Sequence, residues 1–223
     1  QMERDKKDLE FKVLQYQINP HFICNSLNII KWMADIQESP GIGEIAVSLS
    51  NLYQSVIRND ARFVTLRQEL SVLDDYVTIQ RYRYEDIFTY EAVIEDPTLL
   101  DTEIMKFTFQ PLVENAIYHG VKAKRGGGTI TITGVPEGEN LVFTVQDDGA
   151  GMLQEKVEEL NRRMSERSVL DEKKSFGLFY IRERIQLCYG KGYGVHVEST
   201  LGEGTRVTIT LPLYQKPKKF DEE

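Results

Sequence analysis

Five short stretches of this sequence hold side chains whose types and spacing could do chemistry. LQYQINPHFICNSLNII, residues 14 to 30, sets His21 in an apolar helical pattern. A neutral imidazole is nucleophilic, and its two nitrogens let one attack while the other is held by a hydrogen bond. QPLVENAIYHG, residues 110 to 120, interrupts an apolar helix with Glu114, Asn115 and His119. An amide oxygen on a rigid helix suits Mg2+, a hard ion that prefers oxygen ligands and keeps several waters. DDGAGM, residues 147 to 152, directly follows the strand pattern LVFTVQ. A carboxylate at a strand end can accept from an exocyclic amine such as adenine's, with Gly149 and Gly151 admitting close approach of backbone. SFGLFYIRERI, residues 175 to 185, opens a helix at Gly177, where backbone N–H groups attract phosphate. LGEGTRVTITLP, residues 201 to 212, is a Gly-rich turn leading into a strand. All but the fourth stretch also have a plainer reading: a surface histidine, a helix with a wet polar face, an Asp-Gly turn, a bulged hairpin.

The elements that must position these residues follow from hydrophobic periodicity. From Leu9 the apolar residues fall at 9, 13, 16, 20, 23, 27, 30 and 34, a spacing that suits a helix packed in a bundle. Phe11, Ile18, Phe22, Ile29, Met33 and Ile36 widen the buried arc, leaving a polar stripe of Gln17, His21, Asn28, Lys31 and Asp35. His21 is therefore expected to point off the core, and Pro20 to bend the helix beside it, exposing the carbonyl of Tyr16. Ser39, Pro40, Gly41 and Gly43 break the pattern, and a second helix runs through Ile45, Leu49, Leu52, Val56 and Ile57. A lone helical hairpin cannot enclose its apolar faces, so pairing with a second copy into a four-helix bundle is expected, making a homodimer. Thr65 caps a third helix from about Leu66 to Tyr84, with Glu69 completing the start signature.

After residue 86 the pattern changes to the alternating strands FTYEAVIE, TITITGV, LVFTVQD, YGVHVES and GTRVTITLP. Helices are expected near Thr108 to Tyr118, Leu153 to Ser165 and Gly177 to Tyr189. This half reads as an α+β layer with one sheet face covered by helices. The division expected is 1–86 helical, 87–214 α+β, and 215–223 a solvated tail.

Composition narrows the function classes. A chain of 223 residues with 41% hydrophobic content can build real cores. A net charge of -8 argues against a free-standing nucleic-acid binder, which needs a basic face. Cys24 and Cys188 are far apart and form no CxxC pair, so a reducing compartment is expected. No apolar run has the length of a membrane span, so a soluble fragment is expected, with any tether preceding it.

The four segments of the second half, in this order, resemble the GHKL ATP-binding fold of gyrase, the heat-shock chaperone, histidine kinases and the MutL repair proteins. That resemblance implies ATP and Mg2+. It places Asn115 on the metal, Asp147 on adenine, Gly149 and Gly151 beneath the base, and Gly177 at the phosphate-side turn. His119, Gly120, Leu178, Gly204 and Thr205 complete the cofactor-binding set it implies. Residues from about Leu153 to Lys174 would form a mobile lid over ATP.

NPHF on the first helix is similar to the phosphoacceptor box of sensor histidine kinases of the LytS and YesM type, and QPLVENAIYHG fits the same subfamily. The resemblance spans about Leu9 to Pro212. It implies a bacterial two-component kinase that autophosphorylates on His21 and passes phosphate to an aspartate of a response regulator. The fragment would be the cytoplasmic domain of a membrane-anchored sensor. Asn25, one turn beyond His21, would orient a water for removing phosphate from the regulator, or would only make a polar surface contact. Phe22 stands where many histidine kinases have a carboxylate, and Ser175 and Tyr180 stand where a glycine and an asparagine are usual. A degenerate nucleotide-binding scaffold that signals through dimer geometry is the alternative. An ATP-hydrolysing clamp is disfavoured, because Pro111 occupies the place of its base.

Overall fold

The computed structural model describes residues 20–57, 62–124, 126–165 and 176–213. The expectations for Leu9 to Ile18, the Tyr16 carbonyl, Ser175 and the tail lie outside these residues. By internal contact the chain divides into two units: residues 1–60 with 74–83, and residues 61–73 with 84–223.

The first unit is built on α1 (Pro20–Ile36) and α2 (Pro40–Ile57), joined by Gln37, Glu38 and Ser39. Glu38 takes a left-handed conformation at φ 51°, and the Ser39 N–H returns to the Ala34 carbonyl at 2.9 Å. Gly41 and Gly43 do not break the pattern as expected. Pro40 opens α2, where its missing N–H costs nothing, and both glycines lie within the first helical turns. They allow close packing instead: a Cβ at Gly41 would meet the Tyr82 ring at 3.0 Å. The second half of α3 (Leu66–Arg83) completes this unit. Its Asp75 accepts from the Asn51 amide at 3.0 Å, and its Tyr82 hydroxyl donates to Glu44 at 2.7 Å.

Of the apolar arc expected on α1, Leu27 and Ala34 are buried. Phe22, Ile29, Ile30, Met33 and Ile36 are exposed, and Trp32 is 66% exposed. Among the described residues, these six exposed side chains have no cover. That fits the reading that a lone hairpin leaves its apolar faces open.

In the second unit, β1 (Phe63–Thr65) pairs antiparallel with β3 (Glu103–Met105), a ribbon too short for its alternation to stand out in the sequence. The main sheet has the order β2-β4-β5-β7-β6, formed by β2 (Phe88–Ile94), β4 (Gly128–Glu137), β5 (Asn140–Asp147), β6 (Gly194–Thr200) and β7 (Gly204–Pro212). The β2–β4 pairing is parallel and the others antiparallel, a mixed sheet in an α+β unit. Alternation follows the pleat: Ile130 and Ile132 of β4, Leu141, Phe143 and Val145 of β5, and Ile209 and Leu211 of β7 are buried. Against this face lie α4 (Gln110–Asn115) and α6 (Phe176–Tyr189), with Phe109 edge-on to Phe143 at 5.0 Å between ring centroids.

Three expectations change. The start signature of α3 uses Gln68, not Glu69: Gln68 N–H donates to Thr65 Oγ1 at 3.2 Å, and Gln68 Oε1 accepts from Thr65 N–H at 3.0 Å. Gln68 is three residues beyond the cap, the spacing this box requires. The helix expected from Thr108 to Tyr118 is a short α4 that widens into a π-helical turn over Ala116–Val121. The segment expected as a lid contains α5 (Gln154–Ser165), docked on the sheet. Its Val157 and Met164 are buried, and its Asn161 both donates to the Val197 carbonyl at 2.7 Å and accepts the Val197 N–H at 3.1 Å. The rest of that segment, 166–174, lies outside the described residues.

Candidate nucleotide site and phosphoacceptor

Asp147 occupies an inward position because it continues the register of Leu141, Phe143 and Val145 at the end of β5. The pleat thus drives a carboxylate into a place built for an apolar side chain. Burial pushes its pKa up to about 6, a nearby Asp148 adding to the shift while N–H bonds from Gly149 and Thr205 and the Lys124 charge oppose it. Gly149 N–H donates to Asp147 Oδ1 at 2.9 Å. Gly120 and Gly204 close the cradle. A Cβ at Gly120 would run into the Asp147 carboxylate, and one at Gly204 (φ +118°) into the Asp147 carbonyl.

An ionised carboxylate offers about four acceptor sites, and backbone donors fill part of that capacity. The group therefore suits a donor arriving from outside, as an adenine amine would, and the glycines keep the approach clear. This is the fit of the site to a nucleotide.

The neighbouring turn is pinned by residues the sequence did not single out. Ser199 Oγ accepts the Met152 N–H at 2.9 Å and donates to the Gly204 carbonyl at 2.7 Å, with Thr205 Oγ1 at 3.0 Å. Gly151, at φ +64°, lies against the Thr200 carbonyl. Asp148 Oδ1 accepts the Thr129 N–H at 2.8 Å, and Lys124 Nζ donates to the Asp148 carbonyl at 2.5 Å. The bonds of Met152 to Ser199, Thr129 to Asp148 and Lys124 to Asp148 join residues far apart in sequence, so no local pattern signalled them.

Asn115 ends α4, and Gly177 lies opposite it: a Cβ at Gly177 would sit 3.6 Å from the Asn115 amide nitrogen and 3.4 Å from Pro111. Leu178 follows, half-buried, in the first turn of α6. The segment from Asn115 to Gly120 thus spans two clusters, Asn115 with Gly177 and Gly120 with Asp147. Its π-helical turn is a feature often found at functional sites. His119 is exposed, its ring edge-on to Tyr118. Among the described residues no group of three His, Cys, Asp or Glu could hold a metal ion. A single amide oxygen nonetheless fits Mg2+, which takes few protein ligands when phosphates supply the rest.

Glu69, the residue reassigned from the cap, is 3% exposed and accepts the N–H groups of Phe107 at 2.9 Å, Thr108 at 2.7 Å and Phe109 at 3.2 Å. Burial raises its pKa, opposed by those three bonds and by the charge of Arg184. The spacing of Glu69 on its helix carried no signal of this role.

In the first unit His21 is exposed, as expected for the polar stripe, and Asn25 lies one turn on. The Asn25 amide nitrogen is 3.2 Å from His21 Nδ1 and 3.4 Å from Nε2. Lys31 and Asp35 of the same stripe form an ion pair at 2.6 Å.

Comparison with known proteins agrees with this layout. Residues 9–88 match the family described as histidine kinase, and residues 101–215 match the histidine kinase-, DNA gyrase B-, and HSP90-like ATPase family. The chain is similar to the sensor histidine kinase YesM of Bacillus subtilis, 34% identical over 92% of this chain and 34% of that protein. It is also similar to the sensor protein LytS of Bacillus cereus, 32% identical over 97% of this chain and 35% of that protein. The chain spans about a third of the length of the curated relatives it matches. A solved histidine kinase domain, from the Erythrobacter litoralis EL346 blue-light activated histidine kinase, aligns with TM-score 0.47 at 16% identity over 87% of this chain and 94% of that one.

Proposed function

The chain belongs to the histidine kinase family, and from that premise we propose that it transfers the γ-phosphoryl group of ATP to His21 and from there to an aspartate of a response regulator. The observation that carries the reading is the buried Asp147 carboxylate in its glycine cradle, in the half of the chain that matches the ATPase family.

In this reading Asp147 accepts from the adenine amine. Gly120, Gly149 and Gly204 keep the base pocket clear. Asn115 holds Mg2+, with Gly177 and the first amides of α6 on the phosphate side. His119, Gly151, Leu178 and Thr205 line the rest. ATP supplies the phosphoryl group, and Mg2+ neutralises the charge that develops on it.

His21 attacks through the lone pair of one ring nitrogen. A bond forms from that nitrogen to phosphorus as the bond to the bridging oxygen breaks and that oxygen leaves with ADP, and the proton on the ring's second nitrogen is then released. Asn25 is within reach of both nitrogens. Turned so that Oδ1 faces Nδ1–H, its amide holds the tautomer in which Nε2 is free to attack. Asn25 also stands where it can orient a water for removal of phosphate from the regulator. The exposed Trp32, Met33, Ile36 and Leu49 support a second copy completing the bundle. Among the described residues no helix is long and apolar enough to cross a membrane.

Incubation with radiolabelled ATP tests the reading. The chain is expected to take up acid-labile label and His21→Gln none. Equal labelling of the two would overturn it.

A further inference from the structure

We infer that Glu69 is a positioning residue for the nucleotide site, holding the entry of the segment that carries Asn115 and Gly120. The inference rests on the reading that this segment receives Mg·ATP.

Three successive N–H groups, of Phe107, Thr108 and Phe109, converge on the Glu69 carboxylate. Convergence of that kind needs an irregular backbone, and Phe107 supplies it with a left-handed φ of 58°. An aromatic residue rarely adopts that conformation unless its surroundings impose it. The turn is a backbone anion nest, and the anion that fills it is the protein's own side chain. Two further bonds hold it. Thr108 Oγ1 donates to the Met105 carbonyl at 2.6 Å, and Arg184 Nη2 of α6 donates to the Lys106 carbonyl at 2.8 Å.

This turn leads straight into α4. Phe109 is its N-cap and is fully buried, and Asn115 ends it, roughly 9 Å along the axis at the usual helical rise. A short helix carries a displacement of its start to its end. Mg2+ tolerates little departure from octahedral geometry, so a displaced Asn115 loses metal affinity before the fold is lost. Arg184 lies on the helix that begins beside Gly177, so both sides of the phosphate region are referred to the same turn. Glutamine in place of Glu69 keeps the shape but turns one acceptor oxygen into a donor, which would oppose at least one of the three N–H groups.

The test is calorimetric titration of the chain with ATP, once with Mg2+ and once with EDTA. If the unmodified chain fails to bind Mg·ATP, the proposed function fails, whatever Glu69 does. If it binds, Glu69→Gln is expected to raise the Mg·ATP Kd by about tenfold to a hundredfold, the range for residues that orient metal ligands, and to change metal-free ATP binding less. Gln68→Ala removes only the capping box of the same helix. It is expected to lower the unfolding temperature while leaving the Mg·ATP Kd unchanged. A folded Glu69→Gln chain with unchanged Mg·ATP affinity, or with equal losses in both titrations, overturns the inference.

If Glu69→Gln does not fold, Glu69→Asp takes its place, and unchanged Mg·ATP affinity there overturns the inference equally. Hydrogen exchange on the unmodified chain needs no variant. Mg·ATP is expected to slow exchange at Phe107 to Phe109 together with residues 110–115, and protection of 110–115 alone would overturn it.

Discussion

His21 and Asp147 stand in opposite surroundings. His21 is exposed on a helix most of whose large apolar residues are exposed with it, and its ring lies beside the exposed Asn25. Asp147 is 5% exposed, lies in the register of a sheet core, and is ringed by glycines and backbone donors from three segments, around Gly120, Gly149 and Gly204. A phosphoacceptor has to be visited by another site and then by a partner protein, so it is kept accessible. A group that reads a base has to be oriented in advance, because a donor or acceptor that reorganises on binding loses much of its selectivity. In the proposed reading the base-reading group is therefore oriented in advance within one chain, while the described residues of the helical unit present His21 on an open surface.

The largest effect that tests this contrast is a pair of glycine replacements. Gly204→Val forces a side chain onto φ +118° and into the Asp147 carbonyl, and is expected to cost about 4 kcal/mol or to prevent folding. Gly43→Ala in α2 would place its Cβ in ordinary contact, 3.6 Å from Asp35 Oδ1 and 3.8 Å from Ala34 Cβ. It is expected to stabilise the helical unit by about 0.5–1 kcal/mol through lower unfolded-chain entropy. Urea denaturation measures both. A mild effect at Gly204 would break the contrast by showing slack around Asp147.

Next in size is Asp147→Asn. Burial pushes the Asp147 carboxyl up to about 6 in the fold from an ordinary value of 3.8, so the folded chain holds this proton more tightly than the unfolded one. The resulting stabilisation is complete below the unfolded value and is lost as pH rises through about 6. At neutral pH the ionised group is a cost. The variant is expected to gain on the order of 2 kcal/mol there, while Mg·ATP affinity drops by about tenfold to a hundredfold. Its stability advantage should shrink as pH falls toward about 4, where the native carboxyl is protonated too. A variant that is less stable at neutral pH, or that binds ATP undiminished, would count against the site.

Legibility in the sequence followed the range of the interactions. The strands of the main sheet could be read because alternation is local, and β5 placed Asp147 correctly because that carboxylate merely extends the alternation. The β1–β3 ribbon, Ser199 and the true partners of Glu69 could not be read, since each depends on contacts between distant segments. Glu69 shows how such a reading goes astray. Thr65, Gln68 and Glu69 all look like capping residues, and the spacing that separates the second from the third is a single position. The apolar arc of α1 was legible as a pattern, but its burial was not, because one chain does not supply the cover.

The smallest effect concerns Lys31 and Asp35, and it sharpens the contrast most. Their contact is a short 2.6 Å, yet both side chains are about half exposed, one turn apart on the stripe that carries His21. Water screens such a pair, and holding two long side chains in register costs entropy. Lys31→Ala is therefore expected to change stability by no more than about 0.5 kcal/mol, and less at high salt. Glu69, with longer contacts but only 3% exposed, should matter far more. The comparison between those two residues is thus one of burial rather than of distance. It also carries information about the bundle: a loss well above that figure, insensitive to salt but dependent on protein concentration, would mean that a second copy covers the stripe beside His21. The acceptor would then be reachable from fewer directions than the single chain suggests.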